Sequence, residues 1–145
     1  MIANFADLLV GLKTNPGAEL SSMERTNEEF GARLPESYLR LLAASNGVEG
    51  FVAGDSYLML WPIEELPELN KGYAVDEFIP GLVLIGSNGS NDAYAIDTRN
   101  IRPIFVTVPF DSFSLDYVEP LAESAEEFLR VLKRPVCDGN QGGPA

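Results

Sequence analysis

Twenty-two carboxylates and no histidine set the chemistry open to this 145-residue chain. Without an imidazole there is no Ser-His-Asp or Cys-His nucleophile system and no histidine metal site, and the commonest general base near neutral pH is gone. The one thiol, Cys137, stands beside Asp138. An anionic neighbour disfavours the thiolate, which works against a nucleophilic role. Paired carboxylates are the remaining route to acid–base chemistry. Glu64-Glu65, Asp76-Glu77 and Glu126-Glu127 are adjacent in sequence, so the members of each pair do not share a helix face. In a chain this acidic, such neighbours arise by chance as solvated surface. A carboxylate hydrolase would need two acids about 5–10 Å apart in a cleft.

The segment Gly86-Ser87-Asn88-Gly89-Ser90-Asn91-Asp92 has some features of a ligand loop. It lacks the lysine and the glycine spacing of a phosphate loop, and a strand follows it rather than a helix. Asn88, Asn91 and Asp92 offer oxygen ligands, but the twelve-residue calcium spacing with its closing glutamate is missing. A hairpin turn accounts for its composition. Asn88-Gly89-Ser90 also fits a glycosylation sequon, which matters only in a secreted protein. No metal and no cofactor is expected.

The elements that would position any site follow from periodicity. Ile2, Phe5, Leu8, Leu9 and Leu12 recur at helical spacing until Asn15-Pro16-Gly17. Ser21 and Glu24 have capping-box spacing and predict a second helix running through Met23 and Phe30 to Gly31. Pro35 suits the start of a third, with Tyr38, Leu41, Leu42 and Ser45 on one face and Asn46-Gly47 as its close. The middle of the chain predicts strands at Tyr57–Trp61, Leu82–Ile85, Ala93–Ile96 and Ile104–Val108, with a fifth at Phe113–Tyr117. Between the first two, Pro62 starts a helical turn through Ile63 and Leu66 that Pro67 interrupts. Trp61, with Tyr57 and Met59, reads as core, because both faces of its short strand are apolar. A final helix is predicted from a capping box at Ser124 and Glu127, with Ala125, Phe128, Leu129 and Leu132 on one stripe. Helices, then strands, then a helix argue for α+β, with helices packed on one side of a mostly antiparallel sheet.

The length fits one domain, read as 1–134, with a loose polar tail at 135–145. One cysteine fits a reducing compartment. The first thirteen residues lack the basic region of a signal peptide, and the apolar stretches fall well short of the ~20 residues of a membrane span. The expectation is a cytoplasmic protein that does not enter a membrane.

Charge is the strongest compositional signal. The net value is −12, and it is uneven: Glu49–Asp97 holds nine acids and one base, and Pro103–Leu129 holds six acids and no base. A solubility-promoting surface is one reading. A negative face for a basic partner is the other. Nucleic acid is disfavoured, because its phosphates would be repelled.

Several segments occur together in a telling order. Phe30-Gly31, Leu34-Pro35-Glu36-Ser37-Tyr38, Leu41-Leu42 and Asn46-Gly47 are followed by Leu58–Trp61 with Ile63-Glu64-Glu65-Leu66 and Asn70. Then come Pro80-Gly81, Ile85-Gly86, Asn88-Gly89 and Tyr94-Ala95-Ile96-Asp97, and finally Leu121-Ala122 to Phe128-Leu129. This series, covering about residues 20 to 133, resembles the SUKH superfamily of Smi/Knr-like domains. The resemblance implies a curved, mostly antiparallel central sheet flanked by helices. It implies structural roles for the Leu34-Pro35 helix start, the Asn46-Gly47 cap and a turn at Gly86. It also implies a non-catalytic protein-binding domain, since many bacterial members are immunity proteins that neutralise secreted toxins, often nucleases. A regulatory scaffold of the same fold is the alternative. With the acidic surface, the resemblance points to a basic toxin domain as partner. The residues expected to meet it are the acids of the sheet-and-loop half: Asp55, Glu64, Glu65, Asp92, Asp111 and Asp116.

Overall fold

The computed structural model describes residues 5–134. Ile2, Cys137 and the expected tail lie outside them. The elements run α1 (Phe5–Leu8), β1 (Lys13–Thr14), α2 (Leu20–Glu29), α3 (Glu36–Ala44), β2 (Val48–Ala53), β3 (Ser56–Leu60), a 3-10 turn (Ile63–Glu65), α4 (Leu66–Gly72), α5 (Val75–Phe78), β4 (Leu82–Ser87), β5 (Asp92–Asp97), β6 (Ile104–Pro109), 3-10 turns at Phe110–Ser112 and Leu115–Tyr117, β7 (Glu119–Ala122) and α6 (Ala125–Leu132). The seven strands form one open antiparallel sheet in sequence order, β1 to β7, flanked by helices. The fold is α+β. Bulges in β2–β3, β4–β5 and β6–β7 bend the strands they interrupt.

The two faces of the central strands are covered differently. Phe128 of α6 packs on Tyr94 at 5.2 Å and on Phe105 at 5.1 Å, and Tyr38 of α3 meets Phe105 edge-on at 6.3 Å. Tyr94 and Phe105 therefore point to the α3–α6 side. Ala93 and Ala95 alternate with Tyr94, point to the other face and are fully buried there too. The apolar stripe of α6 is seated as its spacing requires, with Ala125, Phe128 and Leu129 wholly buried. Burying each of the two larger side chains contributes roughly 1.5–3 kcal/mol. Ser124 accepts the Glu127 N–H at 3.1 Å, while the Glu127 carboxylate accepts the Glu123 N–H at 2.9 Å, one residue earlier than in a standard capping box. The buried Tyr38 hydroxyl has no partner among the described residues, and burial pushes its pKa far above the ordinary tyrosine value.

Several expectations are corrected. The first helix stops at Leu8, because Gly11 turns the chain through φ +86° and Lys13–Thr14 pair with Val48–Glu49 as an edge strand. The Ser21–Glu24 capping box does not form. Ala18 N–H is held by Leu42 O at 2.8 Å, and the helix has already begun at Leu20. Pro67 opens α4 instead of interrupting a turn, since the first helical turn leaves its N–H sites unpaired in any case. Phe113–Tyr117 is not a strand; two 3-10 turns occupy this stretch, and the strand comes later as β7. Gly86 lies within β4 rather than in a turn. A Cβ there would sit 2.1 Å from Met59 O of the neighbouring strand, so only glycine lets β3 and β4 approach at that bulge.

Two asparagines tie the loops to the sheet. Asn46 Oδ1 accepts the Ile63 N–H at 2.8 Å and its Nδ2 donates to Glu64 at 2.7 Å, which starts the 3-10 turn. The adjacent Gly47 takes φ +95°, and its position leaves little room for a side chain between Asn15, Leu60 O and Pro62. Asn70 of α4 reaches β4. Its Oδ1 accepts the Leu84 N–H at 2.8 Å and its Nδ2 donates to Leu84 O at 3.0 Å and Leu66 O at 2.8 Å.

Candidate functional site

Antiparallel pairing decides which acids meet. The β4–β5 turn, the end of β6 and the approach to β7 lie at one end of the central strands, whereas β3 is staggered on β4, so that the β2–β3 turn lies about four residues, roughly 13 Å, beyond the Met59–Ser87 pair. Asp55, Asp92, Asp111 and Asp116 sit in these four places, and all four are exposed. The Asp111 backbone N–H donates to Asn91 Oδ1 at 3.2 Å, and Asn91 Nδ2 donates to Asp111 Oδ1 at 3.1 Å, which couples two of the turns. Asn88 Oδ1 accepts from Ser90 N–H and Asp92 N–H, shaping the β4–β5 turn. Tyr57 donates to Glu49 close by, and that bond is the main reason its hydroxyl holds its proton to higher pH than an ordinary tyrosine.

Glu64 and Glu65 follow β3 at the end away from Asp55, and Glu64 is engaged by Asn46.

The opposite end of β4–β6 carries arginines. Arg33 donates to Thr98 O at 3.3 Å, and Arg99 and Arg102 stand in the β5–β6 connection. The two buried acids are neutralised internally. Asp97 is held below the usual carboxylate range, chiefly by the side-chain hydrogen bonds of Arg99. Burial pushes Glu126 up, but the Arg40 hydrogen bond at 2.8 Å, the backbone and the Arg40 and Arg130 charges outweigh it, so it too is held low. A lowered folded-state pKa means that the unfolded chain binds more protons as the solution is acidified. This stabilisation is complete above the usual carboxylate range and is lost as pH falls through the folded values. Glu126→Gln should therefore cost about 1.5 kcal/mol at pH 6, the low end for a charged hydrogen bond because Arg40 is 40% exposed. The cost should shrink by pH 3. Urea unfolding at the two pH values measures it, and an equal loss at both would show that the charge on Glu126 is not what matters.

Phe110 and Phe113, either side of Asp111 in the chain, belong to a feature that the sequence did not reveal. Trp61 stacks on Tyr73 at 6.1 Å and 8°, Tyr73 on Phe110 at 5.2 Å, and Phe110 on Phe113 at 6.0 Å; Phe78 meets Phe113 edge-on at 6.4 Å. The outer four rings, with Ser87, Gly89 and Ser90, line a groove of about 740 Å³. Ser87 is the cross-strand partner of Ala93, which places the groove on the face opposite α6. Trp61 is buried, as expected, and backs the groove, whereas Tyr57 and Met59 are only half-buried. Tyr73 and Phe78 are 40% and 50% exposed, an unusual position for rings that have a core available to them.

Among the described residues, no group of three or more carboxylates or cysteines is arranged to hold a metal, and no helix is long and apolar enough to cross a membrane.

A search among curated proteins finds no match. Residues 17–131 match the profile of the SMI1 / KNR4 family (SUKH-1), a family of broadly immunity-type protein domains. That span runs from the loop before α2 to α6 and takes in β2–β7, both tethering asparagines and Gly86, so the chain belongs to the SMI1 / KNR4 family (SUKH-1).

Proposed function

We propose that this chain is a non-catalytic immunity-type protein of the cytoplasm that neutralises a cognate bacterial toxin domain by binding it directly. The observation that carries the reading is that Asp92 and Asp111, brought together by the Asn91–Asp111 hydrogen bonds, and Asp116 lie at one end of the central strands, with Arg33, Arg99 and Arg102 at the other. Such a field favours a basic partner such as a nuclease domain. Charge complementarity of this kind raises association rates by about 10–10³-fold at low ionic strength. Family membership supports the class of function, and the acid end supports the sign of the partner's charge.

The test is growth protection. Toxin domains encoded beside the gene for this chain are induced in a bacterial host with and without it, and colony counts are compared. Co-expression is expected to restore plating efficiency, and the purified pair should form a complex by calorimetry. If no neighbouring toxin is neutralised and affinity purification from the native host returns only partners unrelated to toxins, the reading fails and a regulatory scaffold takes its place.

A further inference from the structure

We infer that the pocket between the loop before α3 and the β5–β6 connection, which Arg33 and Arg99 both line, binds a singly charged carboxylate carried on an apolar body. The inference stands apart from the toxin-binding reading, since it concerns the end of the central strands that Asp92, Asp111 and Asp116 do not occupy.

No carboxylate lines this pocket of about 500 Å³, whose polar groups come from Arg33, Thr98, Arg99 and Asn100. Both guanidinium groups are seated with donors to spare. Arg33 gives one N–H to Thr98 O at 3.3 Å and, among the described residues, has no carboxylate at ion-pair distance. Arg99 gives its Nε–H and an Nη2–H to the buried Asp97 carboxylate at 2.9 Å and 2.7 Å. A guanidinium carries five N–H groups, so each arginine keeps more than half of its donors for a ligand. The seats are built into the backbone. Ala32, on the pocket wall, takes φ +58°, a left-handed conformation that residues with a side chain rarely adopt and that their surroundings must hold. Asn27 holds it, accepting the Ala32 N–H on its backbone oxygen at 2.7 Å and the Leu34 N–H on Oδ1 at 3.0 Å. Beside Arg99, a Cβ on Gly81 would lie 2.5 Å from the Arg99 Cγ, so the glycine is what admits the arginine stem.

Guanidinium groups held in place suit an oxyanion, because their planar forks match the oxygens of a carboxylate. The charge balance selects one negative charge rather than two. Asp97 offsets Arg99, and Arg33 also borders a groove that Glu29, Asp76 and Glu77 line. What remains uncompensated is no more than the Arg33 charge. A dianion such as phosphate would bring surplus charge into a chain already at −12. The acids at the far end of the strands do not cancel the site. Asp92, at the other end of β5, is about 17 Å from Asp97 at the usual strand rise, some two Debye lengths at physiological salt. The rest of the lining is apolar, with Leu34, Pro35, Ile101 and Pro103, and Ile101 is fully exposed. An apolar body on the carboxylate gains by removing these side chains from water.

The test titrates hexanoate, hexanamide, acetate, inorganic phosphate and the blocked dipeptide acetyl-Ala-Leu, which ends in a free carboxylate, into isotopically labelled chain followed by NMR. Hexanoate is expected to shift the Nε–H signals of Arg33 and Arg99 and the amide signals of residues 98–101, and its binding should weaken as salt is added. It should bind more tightly than acetate, because its methylenes cover Ile101, and more tightly than phosphate. Arg33→Gln, which keeps a donor for Thr98 O, should weaken hexanoate about tenfold. Arg33→Lys, which keeps the charge without the fork, should recover only part of that loss. Circular dichroism checks that both variants are folded. Tighter binding of the dipeptide than of hexanoate supports the inference with a partner's chain terminus as the source; the reverse order supports it with a small acid. Equal binding of hexanoate and hexanamide, tighter binding of phosphate, shifts confined to other surfaces, undiminished binding by Arg33→Gln, or no shift at tens of millimolar hexanoate would each overturn it. Protection against a toxin is read in a separate assay, so failure of the pocket leaves the proposed function standing and the reverse result refutes only the function.

Discussion

Replacing Asn70 with alanine is expected to lower the unfolding free energy by about 3 kcal/mol, a large share of the 5–15 kcal/mol that domains of this size possess. The reason lies in how the sheet is interrupted. β3 pairs with β4 only at Met59–Ser87 and Leu60–Gly86, with one further bond from Trp61 N–H to Ile85 O. The chain then leaves the sheet at Pro62, so the first half of β4 loses its neighbour on that side. Leu84 is fully buried there, and water cannot replace the missing strand. The Asn70 carboxamide does so instead, donating to Leu84 O and accepting from Leu84 N–H as a backbone peptide would. Alanine leaves both groups buried and unpaired, at roughly 1–3 kcal/mol each. Asn70→Asp separates the two bonds, since a carboxylate can still accept from Leu84 N–H but has no proton for Leu84 O, and it buries a charge as well. It should be at least as damaging as alanine at neutral pH and should recover in part on acidification, when the acid becomes a donor. Urea denaturation followed by circular dichroism measures both. A loss below about 1 kcal/mol for alanine would mean that this edge of β4 finds other partners.

Asn70 also shows what the sequence could and could not reveal. It belongs to the ordered series of residues that resembled the family, yet nothing in its neighbours announces that its amide stands in for a strand. The central strands and the helices α3 and α6 were legible because each carries its own pattern: a short apolar run bounded by turn residues, or a stripe at helical spacing with a stop signal. β2 was not, because Glu49 and Gly50 break its apolar run and it becomes a strand only by pairing on both sides. β7 contains Pro120, which sequence reasoning rightly holds against a central strand and which an edge strand tolerates. At Ser21 a correct local signal was overridden by a tertiary bond, Ala18 N–H to Leu42 O.

The same division runs through the site. The exposure of the six expected acids followed from their loops and turns. Their placement did not, because it depends on strand pairing: the stagger of β3 on β4 sets Asp55 apart from Asp92 and Asp111. The aromatic groove draws on residues more than thirty positions apart, Tyr73 and Phe78 with Phe110 and Phe113, and no single window of sequence holds it. Its one local trace is the Phe110-Asp111-Ser112-Phe113 run, which alternates poorly for a strand.

Reversing the charge at the acid end should have the largest effect on function. Asp55→Lys, Asp92→Lys and Asp111→Lys together move the net charge from −12 to −6, but the position of the change matters more than its size. Exposed charges act over a Debye length of about 8–10 Å at physiological salt, so only charges near the docking surface steer a partner effectively. Association with the toxin domain identified by growth protection is expected to slow by about 10²–10³-fold at low ionic strength, the full range that steering supplies. Dissociation should change less, because exposed rim charges act mainly on the encounter. The three sites are exposed, so stability should fall by little more than the lost Asn91–Asp111 side-chain hydrogen bond, about 0.5–1.5 kcal/mol. The control is Glu24→Lys, Glu28→Lys and Glu29→Lys on exposed positions of α2, which alters the net charge by the same amount at a place away from the sheet end. Stopped-flow mixing of each variant with the toxin domain across a salt series reads the outcome. A slowing confined to the first triple, and erased in high salt, locates the docking surface on the part of the sheet that carries Asp55, Asp92 and Asp111. Equal slowing by both triples would mean that the partner senses only net charge, and the acids at that end would then have no special part in binding.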